Sequence, residues 1–185
     1  MIIMITGVSH VGKTVLAQKL LEKIHFPYLS IDHLKMGLIR SGNTDLTPED
    51  DDELTDYLWP IVREMIKTAI ENRQNLIVEG CYIPFDWRKD FTEEYLADIR
   101  FVCLAMTDAY IDENFGAIRE HRSDVEGRFY EFDLEAEWVK REHRKMIEGC
   151  RAAGEAVTLI DGDYEQVMSD VVRSLVQDYR IKQLP

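Results

Sequence analysis

Apolar residues recur along this chain with two different periods. Short apolar runs at 2–6, 27–31, 75–79, 99–105 and 156–160 predict strands. Between them the spacing widens to three or four residues. Val15, Leu16, Leu20, Leu21 and Ile24 predict a helix over 13–24. Leu54, Leu58, Ile61, Val62, Met65, Ile66 and Ala69 predict a longer one from 48 to about 72. Helices over 33–40, 108–122, 133–153 and 164–179 complete the pattern. Gly7 ends the first strand, and Ser41-Gly42-Asn43 ends the helix over 33–40. Asp32 is placed to cap that helix. Thr47 is placed to cap the next, with Pro48 at its first position and Asp50 completing a capping-box-like pattern. The acidic run 50–53 then falls in a first helical turn, where the helix dipole favours negative charge. It reads as a good helix start rather than an acidic binding site.

Five short apolar strands alternating with helices predict an α/β fold, a parallel sheet covered on both faces. Right-handed crossovers follow, and ligands should bind beyond the carboxyl ends of the strands. At 185 residues the chain is one domain's worth. It shows no repeat, low-complexity tract or linker.

Composition narrows the function classes. The net charge is −13, which argues against general nucleic-acid binding and against docking on anionic membranes, since both need a basic face. Cys81, Cys103 and Cys150 are scattered, with no CxxC and no zinc spacing. They predict reduced thiols and a cytoplasmic protein. The residues after Met1 carry neither the basic segment nor the cleavage site of a signal peptide. No apolar stretch approaches membrane-spanning length.

The decisive segment is Gly7-Val8-Ser9-His10-Val11-Gly12-Lys13-Thr14. It fits G-x-x-x-x-G-K-[ST] and lies between a predicted strand and a predicted helix, the context that motif requires. Two glycines let successive N–H groups curl round a phosphate. Lys13 brings positive charge to the β- and γ-phosphates, and the Thr14 hydroxyl is suited to Mg²⁺. The helix after the loop points its positive end at the same anion. ATP and Mg²⁺ are therefore the expected cofactors. His10 falls where the motif tolerates any residue.

On these residues the chain resembles the P-loop kinases, the small-molecule and nucleotide kinase branch of the P-loop NTPases. The resemblance spans the chain in architecture and is sharp in Gly7 to Thr14. It implies a three-layer sandwich, a five-stranded parallel sheet in order 2-3-1-4-5, and a helical lid. The chain would be a single domain, with the acceptor-site segment at about 31–74 and the lid at about 112–132. The GTPase branch fits worse, because no Asn-Lys-x-Asp occurs. The D-x-x-G at Asp124-Val125-Glu126-Gly127 follows no apolar strand and reads as coincidence.

Ser30-Ile31-Asp32-His33-Leu34-Lys35 looks like the S-x-D-x-[LI]-[RK] pattern of P-loop kinases that act on hydroxyls. Asp32 would accept the proton of the attacking hydroxyl. Lys35, one turn on, would face the same ligand. The segment also resembles the start of the acceptor site in adenylate kinases, where no general base is needed. Glu79, at the end of the third strand, would hold Mg²⁺ through water in this resemblance, with Gly80 allowing close approach of a ligand. Arg119, Arg122 and Arg128 fall where the family keeps its lid. They would stabilise charge on the transferring phosphoryl group. Interleaved Glu120, Asp124 and Glu126 make a surface ion-pair network the competing reading.

Other residues have plain readings. The histidines show no metal spacing, and Trp59, Trp87 and Trp138 read as packing residues. Tyr82, Phe85, Asp86 and Arg88 are candidates to line the acceptor site. Asp161-Gly162-Asp163 is either a turn and helix cap or a passage for adenine.

Together these readings predict an ATP- and Mg²⁺-dependent kinase with a small-molecule hydroxyl acceptor. A nucleoside-monophosphate kinase is the nearest alternative. A non-catalytic ATP-binding switch or partner-binding protein is the alternative from another class.

Overall fold

The computed structural model describes residues 1–120 and 135–182. Five strands, β1 (Ile2–Gly7), β2 (Tyr28–Ser30), β3 (Leu76–Glu79), β4 (Ile99–Met106) and β5 (Val157–Ile160), form one sheet. Their order is β2-β3-β1-β4-β5, and every pairing is parallel. The helices are α1 (Lys13–Ile24), α2 (Ile31–Arg40), α3 (Asp51–Glu71), α4 (Glu93–Leu96), α5 (Asp108–Glu120), α6 (Ala136–Ala152) and α7 (Tyr164–Lys182).

β1 is buried along its whole length, so alternate side chains enter two cores. Ile3 and Ile5 pack with Leu16 and Leu20 of α1, Val139 of α6 and Met168 of α7. Ile2 and Met4 pack on the other face with Leu54, Leu58, Val62 and Ile66 of α3. This is the parallel sheet covered on both faces that the apolar runs predict, in the strand order that the resemblance implies. Among the described residues no helix is long and apolar enough to cross a membrane.

Two helix starts differ from expectation. α2 begins at Ile31, not 33, with Ser30 at its N-cap and no side-chain capping bond. Asp32 therefore sits inside the first turn and does not cap it. Its carboxylate is engaged by Lys35 at 2.7 Å instead. α3 begins at Asp51, three residues later than the proline suggests. The Asp50 carboxylate accepts from the Thr47 amide at 2.7 Å and the Thr47 hydroxyl at 2.9 Å, and the Asp50 amide donates to the Thr47 carbonyl. Those bonds close a turn before the helix and hold the Asp50 carboxyl below its ordinary pKa. Asp51, Asp52 and Glu53 still occupy the first turn, as the dipole favours.

Candidate active site

The phosphate loop leaves the central strand and enters α1. Gly7 and Gly12 have φ of 148° and 96°, and His10 has 69°. These are backbone angles that side chains disfavour. A Cβ on Gly7 would overlap the Leu104 carbonyl, and one on Gly12 would overlap the Tyr164 hydroxyl. Both glycines are thus required by packing as well as by conformation. α1 starts with no side-chain capping bond, which leaves its first N–H groups to an anion.

Lys13 is buried, and its ammonium donates to the Val8 carbonyl at 3.0 Å. Burial opposes its charge, but Cys81, Asp32 and Glu79 around it outweigh that and raise its pKa. It therefore stays cationic. Asp32, which follows β2, and Glu79 and Cys81, at and just past the end of β3, thus bear on one lysine.

Sheet register explains the convergence. Glu79 pairs with Ile5 on one side and Ser30 on the other. The ends of β3, β1 and β2 are therefore level, and Asp32 follows Ser30 by two residues. Thr14 Oγ1 donates to Glu79 Oε2 at 3.4 Å, and Glu79 is buried. A hydroxyl beside a buried carboxylate suits a hard cation that keeps most of its water, as Mg²⁺ does. Among the described residues no group of three or more His, Cys, Asp or Glu forms an all-protein metal cage.

Gly80 is closely approached by another part of the chain. A Cβ there would lie 2.8 Å from Ile31 Cβ. The close approach is thus made by the first residue of α2, which seats Asp32 over the strand ends. The Gly80 amide and carbonyl are bonded to Ile5 and Thr6.

Lys35 is buried and reaches both Asp32, at 2.7 Å, and the Tyr82 hydroxyl, at 2.8 Å. Tyr82 in turn donates to Asp51 at 3.1 Å. The chain Asp32–Lys35–Tyr82–Asp51 joins α2, the loop after β3 and the start of α3. Of the four candidates after β3, only Tyr82 joins this network. Phe85 packs on Gly149, Asp86 pairs with Lys89, and Arg88 pairs with Glu155.

Arg119 lies exposed on α5. Arg122 and Arg128 lie outside the described residues, as do Asp124 to Gly127. The Asp163 carboxylate accepts from the Gln166 amide at 3.0 Å, a cap on α7, as the plain reading has it. Trp87 stacks on Phe101, and Trp59 donates to Asp90.

Sequence reasoning missed three residues near the loop. Cys81 lies 3.9 Å from the Ser9 hydroxyl. Tyr164 closes against Gly12. His143 of α6 accepts a hydrogen bond from the Met106 amide at 3.0 Å, and Lys13 and His10 bear on its ring. None carries a motif; a contact across the sheet end is their one signal.

Sheet order and phosphate loop together give the chain the fold of the P-loop small-molecule kinases. Solved structures share that fold. A gluconokinase from Sinorhizobium meliloti 1021 is 15% identical with a TM-score of 0.53, over 98% of this chain and 97% of that one. A shikimate kinase from Aquifex aeolicus vf5 is 15% identical with a TM-score of 0.53, over 97% and 98%. A deoxyadenosine kinase from M. mycoides is 14% identical with a TM-score of 0.54, over 97% and 99%. No protein-family model matches the chain, and no curated protein matches it.

Proposed function

We propose that the protein is an ATP- and Mg²⁺-dependent kinase that moves the γ-phosphoryl group to a hydroxyl of a small molecule. The observation that carries this reading is the Asp32–Lys35 pair after β2, with Asp32 bearing on Lys13 after β1, across the one strand that separates them. The fold shared with gluconokinase, shikimate kinase and deoxyadenosine kinase agrees with it.

In this reading the loop residues Gly7, Val8, Ser9, His10, Val11, Gly12, Lys13 and Thr14 hold the ATP phosphates through backbone N–H groups. Lys13 exchanges its bond to the Val8 carbonyl for phosphate oxygens. Thr14 and Glu79 would hold Mg²⁺, which when bound neutralises phosphate charge. Asp32 takes the acceptor's proton as its oxygen attacks. Lys35 and Tyr82 orient Asp32 and border the acceptor. Arg119, Arg122 and Arg128, with the segment about 112–132, form the lid that excludes water.

A phosphate acceptor fits the described residues less well. It calls for free arginines near Asp32. Arg63 pairs with Asp90 and Glu64, Arg88 with Glu155, and Arg40 is exposed at the far end of α2.

The test is ADP release from Mg-ATP with pooled acceptors, one pool of nucleoside monophosphates and one of hydroxyl metabolites. Stimulation by the hydroxyl pool, absent in Lys13→Ala, is the expected result. Stimulation by the monophosphates alone gives the adenylate-kinase-like reading. ATP binding without transfer to either pool gives the switch reading.

A further inference from the structure

Two cysteines outside the phosphate site lie against each other. Cys103 is on β4 and Cys150 on α6, 47 positions apart, and their sulfurs are separated by 3.1 Å. Both are fully buried and both are free thiols. A disulfide has its sulfurs about 2.05 Å apart. The pair is thus about 1 Å from bonding distance.

We propose that Cys103 and Cys150 form a redox modification site, at which a peroxide converts the pair to an intramolecular disulfide that ties α6 to β4.

The two thiols are unequal. The hydrogen bond between the two sulfurs lowers the Cys150 pKa against the opposing effects of burial and Glu155. The same bond, together with burial, raises that of Cys103. Cys150 is therefore the better thiolate, and the thiolate is the nucleophile. It is also the more accessible in fluctuation. It lies two residues from the end of α6, and residues 151–154 are exposed. Helix ends fray, so opening the last turn bares Cys150 before Cys103, which is held between β1 and β5.

The step balances. The Cys150 thiolate attacks one peroxide oxygen, the O–O bond breaks, and the departing hydroxide takes a proton to leave as water. That gives a sulfenic acid on Cys150. The Cys103 sulfur then attacks the Cys150 sulfur and expels hydroxide, which leaves as a second water with the Cys103 proton. Two thiols lose two electrons, and one hydrogen peroxide becomes two waters.

The bond would close the chain from 103 to 150 into a loop, restricting the unfolded state. Cys103 pairs in register with Thr6, the residue before the phosphate loop. The staple would thus fix α6 to the strand beside that loop. The proposal does not rest on the kinase reading.

The experiment treats the full chain with hydrogen peroxide, removes the excess with catalase, alkylates free thiols under denaturing conditions and maps peptides without reductant. The expected result is one cross-linked peptide pair holding Cys103 and Cys150, with Cys81 outside it. Tm should rise by about 5 °C or more, given the length of the closed loop. Dithiothreitol should reverse both. Cys150→Ser should lose the cross-link and the Tm rise. That variant sits near a helix end and spares the strand if Cys103→Ser does not fold. Persistence of both thiols through excess peroxide overturns the proposal. So does arrest at a sulfenic or sulfinic acid on Cys150, or a cross-link through Cys81.

Discussion

The Lys35 ammonium lies 2.7 Å from the Asp32 carboxylate, one turn along the same helix. Both side chains are mostly covered, at 11% and 18% exposure. A pair so shielded is fixed in direction more firmly than an exposed one. The second bond of Lys35, to Tyr82, locks its ammonium from another element. One Asp32 oxygen, Oδ1, accepts from Lys35.

Asp32→Asn tests the proposed base role. The amide keeps the size and one acceptor but cannot take a proton. Turnover should fall about 10²- to 10⁴-fold, the usual range for general-base loss. ATP affinity should stay near wild type, because the phosphates rest on the loop. Steady-state kinetics beside calorimetric ATP titration separates the two effects. Unchanged turnover would remove the base role and favour a phosphate acceptor.

Gly80→Ala tests the contact that seats α2. The new methyl would press on Ile31, whose Cβ is 2.8 Å away and whose backbone begins the helix carrying Asp32. Overpacking of this kind costs about 1–3 kcal/mol. Urea unfolding should show that loss. Adding Ile31→Gly, which removes the Cβ that the methyl would meet, should cost less on the Gly80→Ala background than in the wild type, since residues in contact do not act additively. Simple addition of the two losses would mean that Ile31 is not the obstacle.

The strands, the long helices and the phosphate loop were legible because each is local. Period and the Gly-x-x-x-x-Gly-Lys-Thr spacing are written in consecutive residues. The start of α3 lies later than the sequence predicts because Pro48 and Thr47 fit a preceding turn as well as a helix N-terminus. The Asp50 carboxylate decided it by bonding back to Thr47. The acidic run read as a plain helix start is that, yet Asp51 also accepts from Tyr82 and so touches the Asp32–Lys35 network. No spacing joins residues 32, 51 and 82; the level ends of β2 and β3, with the start of α3 bonded to Tyr82, do. Glycine at 80 signals a close approach, but not of what. Ile31 is the group that approaches.

His143 gives a pH dependence whose sign is fixed by its surroundings. Its Nδ1 accepts from the Met106 amide at 3.0 Å, so that nitrogen carries no proton in the fold. Burial first, then the nearby Lys13 charge and His10, lower its pKa to about 4, against the pull of Asp108 and Glu142. In the unfolded chain an imidazole titrates near about 6.5. Between these values the unfolded state binds the extra proton, so this contribution to stability is full above about pH 6.5 and is lost as pH falls toward about 4. The loss is about 3 kcal/mol across the window, at about 1.4 kcal/mol per unit. His143→Asn keeps an acceptor for Met106 and has nothing to titrate. Urea unfolding of both proteins from about pH 7.5 down to about 4.5 should show the wild type losing more stability than the variant, most of it below about 6.5. Parallel pH profiles would show that His143 takes up a proton in the folded protein as readily as in the unfolded chain.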